Sequence, residues 1–363
     1  MQKLAVITTY YNPERYVTRK TNYDIFKKHM DDSGVLLVTV ECTFGDEPYE
    51  LPESDSNIRL NAKSVLWQKE RLLNIAAESL PDDIDAVAWI DCDVIFENKN
   101  WVQDTLDALD RAPIAQLFTT CLRLTKSGDS GELPDMAESF ASVMNRFPES
   151  LNVQRYDVHG HSGYAWAMRR DIFREVGLYE HAISGSADHF MAHAIYGDYG
   201  FCIENALKHD ETQIKHLQEW GKKFHALVDG QISVVRGQIR HLWHGDLVNR
   251  NYFGRMHQIT DLGYNPYEDL LIEDGKPIEW AAGFDKQGLI DYFNGYYSSR
   301  KEDGELSMKE CEKSGRQCCN GKARSCSGRH ASGGVKTESE LVSLEVNEQE
   351  STTRSCSGRK SSK

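Results

Sequence analysis

The sequence predicts an α/β fold in which helices flank a mainly parallel sheet, and three observations point to it. Short β-branched runs at residues 3–9, 35–40 and 86–90 alternate with stretches of helical periodicity. The runs are continuously apolar, which is typical of strands buried on both faces of a parallel sheet. Alternation of strands and helices along a chain is, in turn, typical of α/β layers.

Each element has its own signal in the sequence. A strand at 3–9, a helix that begins near Pro13 and a strand at 35–40 make one βαβ unit. Ser64 is a preferred N-cap residue and predicts a helix over 65–80. The other predicted elements are strands at 86–90, 114–118 and 238–243 and helices at 101–111, 171–176 and 188–196.

The C-terminal part of the chain has a different composition. Residues 298–363 contain no aromatic residue and are rich in Ser, Gly, Lys, Arg and Glu. Such a segment cannot bury enough apolar surface to offset its chain entropy. We therefore expect a folded unit over residues 1–297 and a disordered low-complexity tail over 298–363. Truncation after Ser299 is expected to leave the melting temperature unchanged.

The charge of the chain limits its partners. The net charge is −14, and residues 1–299 alone hold 29 basic and 46 acidic residues. Such an acidic body repels nucleic acids and anionic membranes unless basic residues cluster locally. No apolar stretch reaches 18 residues, so we expect no membrane span. The scattered cysteines of the body are typical of a reducing compartment, and we expect a soluble, cytoplasmic protein.

The sharpest chemical signal is the pair of Asp91 and Asp93, directly after the predicted strand at 86–90. Ligands of open α/β sheets bind beyond the carboxyl ends of the strands. Residues i and i+2 of an extended segment point the same way, and carboxylate oxygens suit Mn²⁺ or Mg²⁺. The pair predicts a divalent-metal site. An exposed turn at the end of a strand is the alternative interpretation.

Four further blocks accompany this pair, at residues 6–12, 161–170, 185–188 and 241–245. Together with Asp91-Cys92-Asp93 they resemble the GT-A glycosyltransferases over residues 6–245. The resemblance implies a Rossmann-like GT-A sheet, a nucleotide-diphosphate sugar donor such as a UDP-sugar, and Mn²⁺ or Mg²⁺ as the cofactor. It also implies a nucleotide-sugar-binding half over residues 1–120 and an acceptor-binding half over residues 121–297.

The resemblance assigns the nucleotide to the loop after the first strand. Thr8, Tyr10 and Asn12 would cradle the nucleotide, and Glu41 would bind the base or the ribose. Packing in the core is the alternative role for Tyr10. Lys69 is one of the cations nearest to this site in the sequence.

The resemblance also implies a set of metal ligands. Asp93 would coordinate the metal, and Asp91 would assist it at the ribose or at the metal. His244 would complete the coordination, with His241 as the reserve. A lone histidine is more often a hydrogen-bonded core or surface residue, so these two assignments depend on the acidic pair.

The turn at 160–163 and the strand after it resemble the place over which the donor sugar lies. Gly163 would let the backbone approach the sugar closely, and Trp166 would offer it a stacking face. A tight turn before a buried strand is the alternative interpretation of this stretch. Asp188 would be the general base, because a hydroxyl is a poor nucleophile until its proton is removed. Helix capping is the competing role for Asp188, and His189 is the alternative base.

These assignments predict a metal-dependent, hexosyltransferase-like enzyme that inverts the configuration of the sugar, although retention stays open. A nucleotidyltransferase is the second class, but its glycine-rich loop is missing after the first strand. A non-catalytic sugar-nucleotide or carbohydrate-binding protein is the third. The acceptor is a hydroxyl of open class. A weaker similarity to phage and protist enzymes adds a hydroxymethylated DNA base, which would place the protein in the nucleus.

Overall fold

The computed structural model describes residues 2–153, 156–252 and 254–304. The strands of this part of the chain are β1 (Leu4–Tyr10), β2 (Leu36–Phe44), β3 (Asn57–Ala62), β4 (Ala86–Ile90), β5 (Val94–Phe96), β6 (Ile114–Gln116), β7 (Thr120–Arg123), β8 (Asp135–Glu138), β9 (Ala165–Arg169), β10 (Ile232–Val234), β11 (Gln238–His241), β12 (Leu270–Leu271) and β13 (Glu279–Trp280). The helices are α1 (Val17–Ser33), α2 (Lys69–Glu78), α3 (Trp101–Arg111), α4 (Phe140–Met144), α5 (Tyr156–His159), α6 (Arg170–Val176), α7 (Ala187–Tyr196), α8 (Phe201–Ala206), α9 (Glu211–Val228), α10 (Gly254–Asp261) and α11 (Gln287–Ser299). The predicted α/β class is confirmed.

A seven-stranded sheet forms the centre, in the order β10-β6-β9-β4-β1-β2-β3. Strand β1 pairs in parallel with β2 and β4, while β9 pairs antiparallel with β4 and β6. Six strands therefore run one way and β9 runs the other. Strands β9 and β10 follow residue 120, so the two predicted halves of the chain share this sheet.

Both faces of the sheet are covered by helices. Alternate residues of β1 belong to two different core clusters, Ala5 and Ile7 to one and Leu4 and Val6 to the other. Helices α2, α7, α9 and α11 contribute to the first cluster, and α1 and α3 contribute to the second. This double coverage explains why β1 and β4 are apolar throughout. None of the helices in the described ranges has the length and apolarity needed to cross a bilayer.

A second sheet of four strands, in the order β5-β11-β7-β8, begins directly after the Asp91–Asp93 pair. Strand β11 pairs antiparallel with β5, and His241 lies opposite Val94 in the register. This pairing places the end of β11 beside Asp93, about 150 residues earlier in the chain. The pairing of β5 with β11 therefore positions one side of the candidate site.

Helix α2 begins at Lys69, so the predicted start at residue 65 is wrong. The backbone N–H of Ser64 donates to the Glu279 carboxylate (2.8 Å), and its hydroxyl accepts from the backbone N–H of Trp280 (3.3 Å). These bonds fix the segment before the helix against β13. The N-cap position is occupied by Gln68 instead of Ser64.

The predicted boundary between residues 297 and 298 is also wrong, because the chain stays packed through residue 304. Glu302 is 1% exposed and is surrounded by guanidinium groups. It lies 3.1 Å from Arg19, 3.1 Å from Arg250 and 2.8 Å from Arg300. We call these four residues the Glu302 network. Burial would raise the pKa of Glu302, but Arg19 and Arg250 hold it well below its usual range.

The residue after Glu302 also joins this segment to the body. The carboxylate of Asp303 accepts hydrogen bonds from the backbone N–H groups of Val17 (3.2 Å) and Thr18 (2.8 Å) at the start of α1. The side chain of Tyr16, the N-cap residue of α1, makes no capping hydrogen bond to the helix, so Asp303 satisfies donors that the helix leaves open. Residues 305–363, which include most of the predicted tail, lie outside the described residues.

We predict opposite outcomes for two truncations that differ by five residues. Ending the chain after Ser299 should lower the free energy of unfolding by about 3–5 kcal/mol, because it leaves buried guanidinium groups without their carboxylate. Ending it after Gly304 keeps the Glu302 network and Asp303, and should preserve stability. Urea unfolding of both chains beside the full chain measures the difference. Equal stability of the two shortened chains would contradict the role given to Glu302.

Candidate active site

The acidic pair lies beyond the carboxyl end of β4, as the sequence predicts. The backbone N–H of Asp91 donates to the carbonyl of Tyr164 (2.9 Å), and the carbonyl of Asp93 accepts from Leu242 (2.8 Å). The pair is thereby held between the turn before β9 and the end of β11. Both of these segments contain residues that the sequence analysis selected.

Asp93, His241 and His244 form one cluster, which we call the Asp93 cluster. Their ligating atoms all lie within 4.8 Å of one another. Nε2 of His244 is 3.4 Å from Oδ2 of Asp93, and Nε2 of His241 is 3.6 Å from Oδ1. The two Nε2 atoms are 3.0 Å apart. The structure thus brings together the predicted carboxylate ligand, the predicted histidine and its reserve.

The electrostatic surroundings of the Asp93 carboxylate favour the binding of a cation. Its Oδ1 atom is buried and has no hydrogen-bond partner among the described residues. Burial, followed by the charge of Asp91, raises the pKa of Asp93 to about 7, while Arg19 and Arg250 act in the opposite direction. A buried carboxylate in this state lacks a positive partner within bonding distance, which a metal ion would supply.

The histidines of the cluster have the charge state that metal binding requires. Burial lowers the pKa of His241 well below its usual range and lowers that of His244 to about 4, so both are neutral at pH 7. Imidazole suits transition metals, whereas Mg²⁺ prefers oxygen ligands. The residues of the cluster therefore fit Mn²⁺ better than Mg²⁺.

The Glu302 network contacts His244 at its Nδ1 atom and its backbone carbonyl. Oε1 of Glu302 lies 4.0 Å from Nδ1 of His244, and Arg250 donates a hydrogen bond to the His244 carbonyl. Arg250 also contacts Nδ1 of that ring. A guanidinium only donates, so this contact gives Nδ1 the lone pair of the ring. Coordination through Nε2 would move the ring proton to Nδ1, which requires Arg250 to release that atom; Glu302 would then be the nearest carboxylate.

Asp91 lies outside the Asp93 cluster, which differs from the predicted role as a second ligand. Its Oδ1 atom is 2.5 Å from Nζ of Lys69, in the first turn of α2. Burial would lower the pKa of Lys69, but Asp91 and Asp188 outweigh it and raise that pKa. Lys69 is therefore a partly buried cation that is paired with Asp91 and acted on by the charge of the candidate base.

Asp188 is the second residue of α7, and the N-cap position belongs to Ser186. Asp188 is therefore not the N-cap residue, but its carboxylate still binds a backbone N–H of the first helical turn. Oδ1 of Asp188 accepts from the backbone N–H of His189 (2.9 Å). A Cβ atom added to Gly163 would lie 2.6 Å from Oδ2 of Asp188. The absence of a side chain at Gly163 thus allows the carboxylate to lie against the turn before β9.

Gly163 and Tyr164 connect the candidate base to the Asp93 cluster. Gly163 contacts the carboxylate of Asp188, and the ring of the next residue, Tyr164, lies 4.7 Å from the ring of His241. Tyr164 also stacks on His161 at 4.1 Å. Two consecutive residues therefore contact the base on one side and the metal cluster on the other.

The predicted stacking role of Trp166 is wrong. This residue is 1% exposed, and its indole N–H donates to the carbonyl of Ser162 (2.7 Å). It belongs to β9, an interior strand of a sheet whose two faces are both covered by helices. A tryptophan on such a strand packs in the core and offers no face to a sugar.

The predicted nucleotide contacts have partners within the protein. The hydroxyl of Thr8 donates to the carbonyl of Ile90 (2.7 Å). The Tyr10 hydroxyl donates to Glu50, and the amide of Asn12 donates to the same carboxylate (3.1 Å). Tyr10 is also 1% exposed, which agrees with its alternative role in packing. Contact of these residues with a nucleotide stays a prediction.

Two acidic residues near the site carry no signal in the sequence. Glu50 accepts from Tyr10 and Asn12, and its own backbone N–H donates to Glu41 (2.5 Å). Glu70 is buried in α2 next to Lys69, and burial raises its pKa to about 7. Neither residue belongs to a recognisable motif, so only the folded arrangement reveals them.

A large cavity lies away from the candidate site at the end of β4. It measures about 550 Å³, and residues of α2, α6 and α9 line it, among them Asn74, Phe173 and Trp220. None of the predicted site residues lines this cavity. Convergent polar groups, and not cavity size, therefore identify the candidate site at the end of β4.

Comparisons with known proteins give distant structural likenesses. No family model matches the sequence, and no curated protein matches it. A mutant of Drosophila β1,4-galactosyltransferase 7, in complex with manganese, UDP-Gal and xylobiose, is 12% identical with a TM-score of 0.37, covering 80% of this chain and 99% of that one. Mannosyl-3-phosphoglycerate synthase from Rubrobacter xylanophilus is 10% identical with a TM-score of 0.33, covering 77% and 84%. The 4-diphosphocytidyl-2C-methyl-D-erythritol synthase from Anaerococcus prevotii is 12% identical with a TM-score of 0.32, covering 65% and 87%.

We predict that Asp93 and Asp91 differ in their effect on metal binding. Asp93→Asn should weaken Mn²⁺ binding by at least ~100-fold, since loss of an outer partner alone costs about 10–100-fold. His244→Ala should weaken it by a smaller factor, because Asp93 and His241 remain. Asp91→Asn is the matched control and should keep near-native Mn²⁺ affinity. Calorimetric titration without nucleotide measures all three, and equal losses in Asp91→Asn and Asp93→Asn would contradict the ligand set.

Proposed function

We propose that this protein is a metal-dependent glycosyltransferase that transfers a sugar from a nucleotide-diphosphate sugar, such as a UDP-sugar, to a hydroxyl acceptor. The observation that carries the proposal is the pair of contacts made by Gly163 and Tyr164. Through them a candidate base, Asp188, and a candidate metal cluster flank one turn at the carboxyl end of the sheet. Ligands of open α/β sheets bind in this place.

The chain's own charges suit a donor with a diphosphate group. Asp93, His241 and His244 would hold Mn²⁺, which when bound supplies charge neutralisation for the leaving nucleoside diphosphate. Arg19 and Arg250 act on Asp93 strongly enough to oppose the rise in its pKa. Positive charge therefore lies near the carboxylate that would hold the metal, although both arginines are paired with Glu302.

Asp188 is suited to activate the acceptor. Its carboxylate would take the proton of the acceptor hydroxyl while that oxygen bonds to the anomeric carbon. The bond between this carbon and the diphosphate oxygen breaks at the same time, and its electron pair leaves with the nucleoside diphosphate. Attack from the face opposite to the leaving group inverts the configuration. The negative charge of Asp188 also acts on Lys69, whose ion-pair partner is Asp91.

The other two classes have less support. The loop between β1 and α1 contains no glycine, and its Arg15 is paired with Glu50 (2.9 Å). A nucleotidyltransferase needs a glycine-rich loop with Arg or Lys at this place to bind its nucleotide phosphates. The loop seen here therefore disfavours that class. A non-catalytic binding protein does not require a carboxylate such as Asp188 to be positioned against Gly163 beside a metal cluster. The acceptor class stays open, and the acidic body disfavours DNA.

The direct test is a donor screen with the purified full chain. In the presence of Mn²⁺ and without acceptor, we expect slow hydrolysis of a nucleotide-diphosphate sugar to nucleoside diphosphate and free sugar. A nucleotidyltransferase would instead release pyrophosphate from a nucleoside triphosphate and a sugar phosphate. Binding of nucleotide sugars with no product from either mixture would favour the binding protein and contradict the proposal.

We predict that Asp188→Asn separates chemistry from binding. The amide keeps the shape of the side chain but cannot take a proton, and loss of a general base costs about 10²–10⁴-fold in rate. Turnover should fall by that factor, while calorimetry should give a nearly unchanged donor affinity. Near-native turnover would remove the base assignment and direct attention to His189 or to a retaining mechanism.

Gly163→Ala is the companion variant for Asp188. The added methyl group displaces the far end of the Asp188 side chain, so the fold should be kept. A displacement of about 1 Å at a catalytic group can cost about 10²-fold in rate. Melting curves and turnover of both variants, measured together, show whether the carboxylate acts through its position.

A further inference from the structure

We propose that His159, His189 and His193 form a second metal site, which takes Zn²⁺ or a similar transition-metal ion. Their ligating atoms lie within 4.8 Å of one another, and all three side chains are buried. We call them the three-histidine cluster. It shares no residue with the Asp93 cluster, and its argument does not depend on the proposed function.

The fold brings the three imidazoles together from two elements. His189 and His193 are four residues apart on α7, so they lie on the same face of the helix. Their ring centroids are 4.9 Å apart. His159 is the last residue of α5, and its ring stacks on that of His189 at 5.5 Å. Two histidines at this helical spacing plus a third from another segment make a typical zinc-binding set.

Hydrogen bonds fix the tautomers of two of the rings in the form that metal binding needs. Nδ1 of His193 lies 2.9 Å from the carbonyl of Asp198, and Nδ1 of His159 lies 2.7 Å from the carbonyl of Gly160. A carbonyl only accepts, so Nδ1 carries the proton in both rings and Nε2 carries a lone pair. This is the arrangement by which backbone carbonyls orient metal-binding histidines.

An unsatisfied atom in the cluster points to a missing ligand. His193 is 0% exposed, and its Nε2 atom is buried with no hydrogen-bond partner among the described residues. A buried polar atom without a partner is costly and rare in folded proteins. Burial also lowers the pKa of His193 to about 4, so the ring is neutral. A metal ion would use the lone pair that nothing else in this part of the protein uses.

The donor set indicates the kind of metal. The cluster contains three imidazoles and no carboxylate. Such a set favours Zn²⁺, Co²⁺, Ni²⁺ or Cu²⁺ over Mn²⁺ and Mg²⁺. Because the ligands are buried, the ion would have a structural role. It would fasten the turn at 160–163, which follows His159, to the helix that carries Asp188.

The test measures zinc binding in the full chain carrying Asp93→Asn and His244→Ala, which leave a single histidine of the Asp93 cluster as a competing ligand. We expect Zn²⁺ to raise the melting temperature of this chain after metal removal with EDTA. Adding His193→Ala should weaken zinc binding at least ~100-fold and abolish the rise. His225→Ala is the matched control, because Nδ1 of His225 also faces a carbonyl, that of Ile195 at 2.9 Å. The His225→Ala variant should keep both the zinc affinity and the rise in melting temperature.

Two further measurements separate zinc binding at this cluster from misfolding of a variant and from zinc binding by thiolates. The first uses two more variants: His193→Gln keeps a polar side chain, and His159→Ala changes a different element. Urea unfolding without zinc shows whether each variant folds. Both variants should lose the zinc response. Co²⁺ titration should give a visible absorption band without the near-ultraviolet band of thiolate ligands. A zinc response that survives His193→Ala, or that disappears when the cysteines are alkylated, would overturn the proposal. So would the absence of any zinc response.

Discussion

The buried carboxylate of Glu302 is the constraint on which the candidate site depends. Without it, the buried Arg250 and Arg300 and the partly buried Arg19 of α1 would be uncompensated charges. The same carboxylate lies 4.0 Å from Nδ1 of His244. A single acidic residue therefore joins the first helix, the last segment and one candidate metal ligand. Buried ion pairs are strongly disrupted when one partner is removed, so the geometry of His244 and the stability of the fold depend on the same interaction.

Much of the fold follows from local sequence, and the exceptions have long-range causes. The predicted strand at 86–90 and helix at 101–111 match β4 and α3 at both ends, because apolar runs and caps are local signals. The start of α2 is not predictable in this way, because Glu279 and Trp280, more than 200 residues away, bind Ser64. The segment at 300–304 resembles a tail because its charges look solvated in the sequence. Their partners lie up to 286 residues away and have no local signature.

The candidate site was predictable where a motif coincided with the end of a strand. Asp93 and His244 could be selected in this way, and the pairing of β5 with β11 explains why His241 joins them. The sequence left two interpretations of Trp166 open, and the buried one is correct, because β9 lies in the interior of the sheet. The three-histidine cluster had a weak signal in the spacing of His189 and His193. His159 could not be added to it, since its proximity arises only from the tertiary fold.

The backbone of Tyr164 shows how the two sides of the site are held in one geometry. This residue has φ +79°, in the left-handed region, which costs a non-glycine residue about 1–3 kcal/mol. Its ring lies between His161 at 4.1 Å and His241 at 4.7 Å, and its carbonyl accepts from Asp91. The contacts on both sides of the ring offset the strain. Because the chain reverses here, Gly163 faces the candidate base while the next residue contacts the candidate metal cluster. The left-handed conformation of Tyr164 is therefore part of the geometry in which its ring contacts His241 while Gly163 lies against Asp188.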